Sequence, residues 1–185
     1  MGRWEPDAKG RMIRAAMELF AERGFDETTA GDIAERAGVT ERTFFRHFAD
    51  KREVLFDGSK TMERTAHDAI LAAPADHSPL DAALAGVVAG AGPLEDRRDH
   101  AVRRSAIVAA NPSLRERELL KLAALAGAMT EALRARGVAE LDAGLAAHSA
   151  VAVFQVAFVR WVSADEPPAI AACIAEAAAA LRALK

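Results

Sequence analysis

Arg42, Thr43, Phe45, Arg46 and His47 crowd into the stretch AGVTERTFFRHFADK, residues 37–51. Guanidinium groups grip phosphates and read base edges, hydroxyls and imidazoles hydrogen-bond to both, and an exposed ring packs on thymine methyls. A row of these types points to a nucleic-acid surface. Phe44 and Phe48 are four residues apart and share one face of a helix, which makes them core. Phe45 is turned by about 100° from Phe44 and cannot fully share that face. Lys51 and Arg52 fall in the first turn of the next predicted helix, whose amides and dipole favour a phosphate. Across 42–52, four basic side chains stand against Asp50, a local net of +3, with His47 in addition.

Those side chains need a frame. Ile13, Ala16, Met17 and Phe20 follow the i, i+3, i+4, i+7 rule, so residues 7–23 read as an amphipathic helix ended by Gly24. Thr29 with Asp32 forms a capping box for a short second helix. Ala30, Ile33, Ala34 and Ala37 give that helix its apolar face, and Gly38 supplies a left-handed turn. Thr40 caps a third helix over 41–47. Two short helices joined by a tight glycine turn make a helix-turn-helix. Asp50 with Glu53 reads as a further capping box, opening a long helix that runs to Ala73. Beyond it, helices are expected over 79–90, 94–110, 113–136, 140–163 and 168–184, broken at Gly92-Pro93, Asn111-Pro112, Gly137 and Pro167-Pro168. The fold class is therefore all-α, with about nine helices. The GVVAGAG stretch at 86–92 lacks the strand and the Lys-Ser/Thr of a phosphate loop and reads as a frayed helix end.

The whole chain narrows the function further. Its 185 residues are 51% apolar and 28% charged, ordinary for a globular protein. Net charge is −3, and residues 1–60 hold 11 Lys and Arg against 12 Asp and Glu, so bulk charge lends no support to a nucleic-acid partner. The local patch alone carries that case. No long uncharged apolar run predicts a membrane span, and the N-terminal MGRWEPDAKGR has no apolar core of a signal peptide. The single Cys173 predicts neither an internal disulfide nor a metal cluster, and a reducing cytoplasm is the simplest compartment. No Ser/His/Asp grouping, no HExxH and no nucleotide loop is legible, so neither an enzyme nor a cofactor or metal is expected.

The stretch LFAERGFDETTAGDIAERAGVTERTFFRHFADKREVL (19–55) closely resembles the DNA-binding domain of TetR-type (tetracycline-repressor-like) transcriptional regulators. The resemblance implies a three-helix helix-turn-helix head over 1–50. A larger helical body over 51–185 would bind a ligand and dimerise. By position it implies that Thr29 contacts a phosphate, that Thr40, Arg42, Thr43, Phe45, Arg46 and His47 contact DNA, and that Lys51 holds a phosphate. The family often has Tyr where Phe45 and His47 stand, so Phe45 is left with an apolar contact only.

Ile170, Ile174, Ala177, Leu181 and Leu184, spaced 4, 3, 4, 3, form a heptad seam for a partner helix. The segment AVAVFQVAFVRWV (150–162) is apolar nearly all round, so it must be covered on more than one side. The resemblance likewise implies a homodimer through the last two helices. A small-molecule effector would meet a mostly apolar wall with a few polar groups. Arg103, Met129, His148, Phe154, Gln155 and Phe158 are the candidates. His148 reads equally as an interior or interface histidine, and Arg103 with Arg104 as ion pairs to Asp96, Asp99 or Glu116. Two functions stay open: a repressor that leaves a palindromic double-stranded operator on binding an apolar ligand, and a regulator of the same fold with no small-molecule inducer.

Overall fold

The computed structural model describes residues 7–184. Most of the N-terminal stretch read above for a signal peptide lies outside the described residues. Among them the chain forms nine α-helices and two short 3-10 segments, with no strand. The all-α expectation is met. The backbone gathers into two compact units. One holds the residues up to Asp57 together with Arg103–Glu118, and the other holds Gly58–Val102 with the residues from Leu119 on. The first unit thus extends beyond the boundary predicted at residue 50 and takes in a second piece of chain.

In the first unit, α1 (Ala8–Arg23) starts where the Asp7 carboxylate accepts from the Gly10 amide. Its apolar face, Met12, Ile13, Ala16, Leu19 and Phe20, is buried. The capping box predicted for α2 (Ala30–Arg36) is present in both directions. Thr40 caps α3 (Glu41–His47) by accepting from the Thr43 amide. Between α2 and α3, Gly38 takes φ +67, where a side chain would be strained. The Val39 amide closes that turn on the Ala34 carbonyl at 2.9 Å. Phe44 and Phe48 lie inside the unit, as their spacing requires, with ring centroids 5.4 Å apart.

The long helix expected from Asp50 is not continuous. Asp50 does cap, accepting from the amides of Arg52 and Glu53. What it opens is only a 3-10 segment, Glu53–Phe56, and α4 (Ser59–Ala72) begins separately after Gly58. Val54, Leu55 and Phe56 are all buried, and three consecutive apolar residues cannot all face one side of an α-helix. At three residues per turn their side chains point to three sides of the segment, which is therefore covered all round.

The second unit holds α4, α5 (Pro79–Ala91), the first part of α6 (Arg98–Ala110), most of α7 (Pro112–Ala135), α8 (Glu140–Ser163) and α9 (Ile170–Ala183). The GVVAGAG stretch is no frayed end. It lies in α5 as far as Ala91, where Gly86 and Gly90 are buried under α4. A Cβ on Gly86 would sit 2.7 Å from Ile70 Cγ1 and 2.9 Å from the Ala66 carbonyl oxygen. Glycine is needed there because the two backbones approach closely. Arg136 closes the C-terminal end of α4, donating to the carbonyls of Ile70 and Pro74 at 3.0 and 2.7 Å. Glu95 accepts from the Ile170 amide at 2.8 Å, capping α9 from a distant part of the chain.

The seam assigned to α9 must be corrected. Ile170 and Ile174 are buried within their own unit, and Ala177 and Leu181 pack against the same core. Only Leu184 stands exposed. Their 4, 3, 4, 3 spacing is that of a covered face, but the cover comes from the same chain. The outward apolar stripe lies instead on α8, where Leu141, Leu145, Val156 and Val159 are 72%, 59%, 64% and 61% exposed.

Candidate nucleic-acid interface

Helix α3 presents two faces of opposite chemistry. Phe44 faces in, fully buried. Phe45 faces out, 51% exposed, with its ring edge-on to Phe44 at 5.4 Å and 89°. Arg42, Arg46 and His47 are exposed beside it. Among the described residues neither Arg42 nor Arg46 has a hydrogen-bond or ion-pair partner. Arg42, Phe45 and Arg46 are related by i, i+3 and i+4 and so form one patch. The outer surface of α3 also carries the exposed, acidic Glu41 in its first turn, and Thr43 is half-buried, its hydroxyl paired with that of Thr40 at 3.0 Å. These two threonines hold the helix start in shape, and the arginines and the ring are left for a partner.

Two of the expected phosphate contacts are differently employed. Lys51 is not a free cation: its ammonium donates to the carbonyls of Phe25, Thr28 and Asp26 at 2.7, 2.8 and 3.2 Å. Three donors then meet three acceptors, and none remains for a phosphate. The same group lies 4.3 Å from the centroid of the Phe25 ring. Lys51 therefore ties down the loop that precedes α2. Thr29 also spends its donors internally, the amide and the hydroxyl both going to Asp32 at 2.8 and 2.7 Å. Those hydrogen bonds, the hydroxyl's first, hold the Asp32 carboxyl below the usual range. Arg52 is engaged as well, pairing with Asp50 at 2.7 Å. Burial pushes the Asp50 carboxyl up, but hydrogen bonds and charge from Arg52 outweigh it, and the net shift is downward. The local net charge of +3 thus overstates the free cation, which comes down to Arg42 and Arg46.

Three further residues brace this unit; Arg104 was expected in an ion pair with Asp96, Asp99 or Glu116, and its partner is Glu118 instead. Arg104 donates to the Leu55 carbonyl and to Glu118, and its guanidinium stacks 4.8 Å from the Phe56 centroid. Arg117 pairs with Glu53. Asn111 caps α7, accepting from the amides of Ser113 and Leu114, and its own amide group donates to Asp26. The Asn-Pro pair was read only as a break. Asparagine directly before a proline at the first helical position is also an N-cap signal, and that much was legible.

Of the six residues proposed to line a ligand wall, Met129, Phe154 and Phe158 share one core, and the other three do not belong to it. Arg103 belongs to the first unit, at the edge of a groove of about 940 Å³ lined by Met17, Phe20, Phe25 and Ile107. Met129 and Phe154 are in the core of the second unit, with Phe158 half-buried and 5.7 Å from Phe154 between ring centroids. His148 and Gln155 point outward on α8. They share a face, as their spacing requires, but it is the outer one. A polar group without a partner does exist inside the second unit. Trp161 is fully buried, and its indole Nε1 meets no acceptor among the described residues. The Nε of Arg98, whose guanidinium lies 5.8 Å from the Trp161 ring, is likewise buried and unpaired.

Residues 12–57 match the family model described as "Bacterial regulatory proteins, tetR family". The chain is similar to the HTH-type transcriptional regulator TcmR of Streptomyces glaucescens, with 31% identity over 153 residues covering 80% of this chain and 68% of that protein. It is 40% identical over 47 residues to the HTH-type transcriptional repressor KstR2 of Mycobacterium tuberculosis, which covers 25% of this chain and 24% of that one. Among solved structures it resembles the transcriptional regulator FadR of Bacillus subtilis in complex with stearoyl-CoA. The TM-score is 0.58, and 94% of this chain and 97% of that one are covered at 22% identity. At that identity the likeness is one of fold.

Proposed function

The chain belongs to the TetR family of DNA-binding transcriptional regulators, and on that premise we propose that it is a repressor that grips a palindromic operator as a homodimer. The observation that carries the proposal is the outward face of α3, where two unpartnered guanidiniums and an exposed ring sit on a helix fixed at both ends. Lys51 and Thr29 act on the DNA indirectly, by holding the loop and helix on which α3 rests.

The apolar stripe of α8 supports the dimer. Leu141, Leu145, His148, Ala152, Val156 and Val159 follow one another at spacings of 4, 3, 4, 4 and 3, close to a heptad seam. By length and composition alone α8 is apolar enough to cross a membrane. Nine of its residues are buried in its own unit, and a partner's α8 laid on the outer stripe accounts for the rest. The exposed alanines of α9, Ala171, Ala172, Ala175 and Ala179, give a second helix room to approach. A DNA target also sets the protein in the cytoplasm. Leu145→Glu should leave the fold intact, turn the dimer into a monomer on analytical ultracentrifugation and abolish gel-shift of the DNA upstream of its gene. A variant that stays dimeric would move the interface elsewhere.

The effector, on this reading, is a small, largely apolar molecule bound in the second unit. The neighbour solved with stearoyl-CoA supports that class. The unpaired Trp161 indole, which is costly to bury without an acceptor, is the group that an acceptor on the ligand would meet. Thermal-shift screening of apolar metabolites, followed by competition with labelled operator, checks it. The competing regulator without an inducer is favoured by the full burial of Met129 and Ala157, and it prevails if no compound stabilises the protein.

A further inference from the structure

We propose that Phe45 selects a thymine, its ring packing on the C5 methyl group in the major groove within two base steps of a guanine held by Arg42 or Arg46. The inference rests on the DNA-binding reading of this face and adds to it the base that the face selects.

Phe45 is the one aromatic ring among the large apolar side chains exposed on the described residues, at 51%. Exposed apolar residues occur singly on any surface, but this one has two features that a stray ring lacks. It lies on the patch of Arg42 and Arg46, both free to take a partner. It is also braced from behind, edge-on to a Phe44 that is itself immobile in the core. A ring held in place in advance loses little conformational freedom on binding.

The chemistry of the major groove then decides the target. Guanine, adenine and cytosine present hydrogen-bonding atoms along that edge, and thymine alone adds a methyl group. A phenyl ring has no donor or acceptor. Against a polar edge it would strip water and return nothing, which is costly. Against the methyl it removes apolar surface from water on both sides. A phosphate contact is closed to it for the same lack of a donor. Arginine most often reads guanine O6 and N7. Side chains three or four apart on a helix stand about 5–6 Å from each other, and stacked bases about 3.4 Å. The thymine under Phe45 therefore lies one or two steps from the guanine under either arginine.

The test uses the full chain and the duplex that it selects from a random pool. Each thymine of a half-site is replaced in turn by deoxyuridine, which lacks only the methyl group, and binding is followed by fluorescence anisotropy. One thymine per half-site should matter, weakening binding about fourfold per methyl, the transfer value of one buried carbon. The other thymines should be indifferent. In Phe45→Ala that sensitivity should vanish, and in Phe45→Tyr, which keeps the ring, it should persist. Thermal unfolding of Phe45→Ala should stay close to that of the parent. A uridine scan of the parent protein that finds no sensitive thymine overturns the proposal without any variant. So does a Phe45→Ala protein that still distinguishes thymine from uridine, or that weakens both duplexes equally. Failure to retain any duplex would sink the DNA-binding reading itself, a separate outcome.

Discussion

The two units are held together by different means. The first relies on rings and long tethers. Phe20, Phe25, Phe44 and Phe48 fill its centre, and Lys51, Arg104, Asn111 and Arg117 reach across to backbone or carboxylate partners. The second relies on small residues and close helix approach. Ala66, Ala83, Ala143, Ala147 and Ala150 are all but inaccessible, and α5 meets α4 through glycines. A ring-and-tether unit concentrates its stability in a few residues and so leaves the neighbours of those residues free for a surface task. Phe44 and Phe45 are adjacent in sequence and divided between the two jobs. An alanine-packed unit adds a second sensitivity, to growth of a side chain at its close helix crossings, beside the loss of its few large buried side chains, Trp161 first.

That contrast can be broken. Phe44→Ala should cost about 3–5 kcal/mol, the range for truncating a buried phenylalanine, read as a lowered midpoint in chemical denaturation. A loss under about 1 kcal/mol, the range of an ordinary surface change, would mean that the ring core does not carry the first unit. Next in size, Gly86→Ala should destabilise the second unit by about 1–3 kcal/mol through overpacking against Ile70 and Ala66. Gly127→Ala on α7, where a Cβ meets open space, should instead stabilise by up to about 1 kcal/mol, the helix preference for alanine. Equal effects at the two glycines would refute the close crossing.

The smallest effect sharpens the contrast in acid. The Asp32 carboxyl is held below its usual range by hydrogen bonds from Thr29. Its folded value lies below its unfolded one, so its contribution is complete above the ordinary carboxylate value of about 3.9. It is lost as pH falls through the lower, folded value. Glu22, held down by its hydrogen bond to Arg36, acts in the same direction. Asp32→Asn should therefore flatten the acid limb of the stability curve slightly and leave the curve's shape at neutral pH alone. An acid limb identical to the parent's would show that the capping box does not titrate with folding.

The same difference decides what could be read from sequence. In the first unit the signals are local: Thr29 with Asp32, Gly38 at positive φ, Thr40, and Phe44 four before Phe48 each specify backbone or face on their own. Helix α3 accordingly came out at its observed bounds, and of the outward set Arg42, Thr43, Phe45, Arg46 and His47 all but the half-buried Thr43 are exposed. What failed there was the fate of Lys51, because an ammonium at a helix start suits a phosphate and a loop carbonyl equally, and only the fold brings the loop near. In the second unit the signals are periodic, and a period says that a face is covered without saying by what. Ile170 and Ile174 kept their spacing and turned inward, while Leu145 and Val156 lie outward on α8. His148 and Gln155 went astray in the same way, sharing a face that proved to be the outer one. GVVAGAG misled because glycine inside a helix reads as weakness until the neighbouring helix is seen.

The central claim is that the outer face of α3 grips DNA through Arg42 and Arg46. Anisotropy of a labelled duplex from upstream of the gene, titrated with parent and with the Arg42→Ala/Arg46→Ala double variant across a salt series, tests it most directly. The account predicts an unchanged unfolding midpoint, a loss of about tenfold or more in affinity, and a shallower fall of log affinity with log salt. A double variant that binds as tightly as the parent, with the same salt dependence, would contradict it.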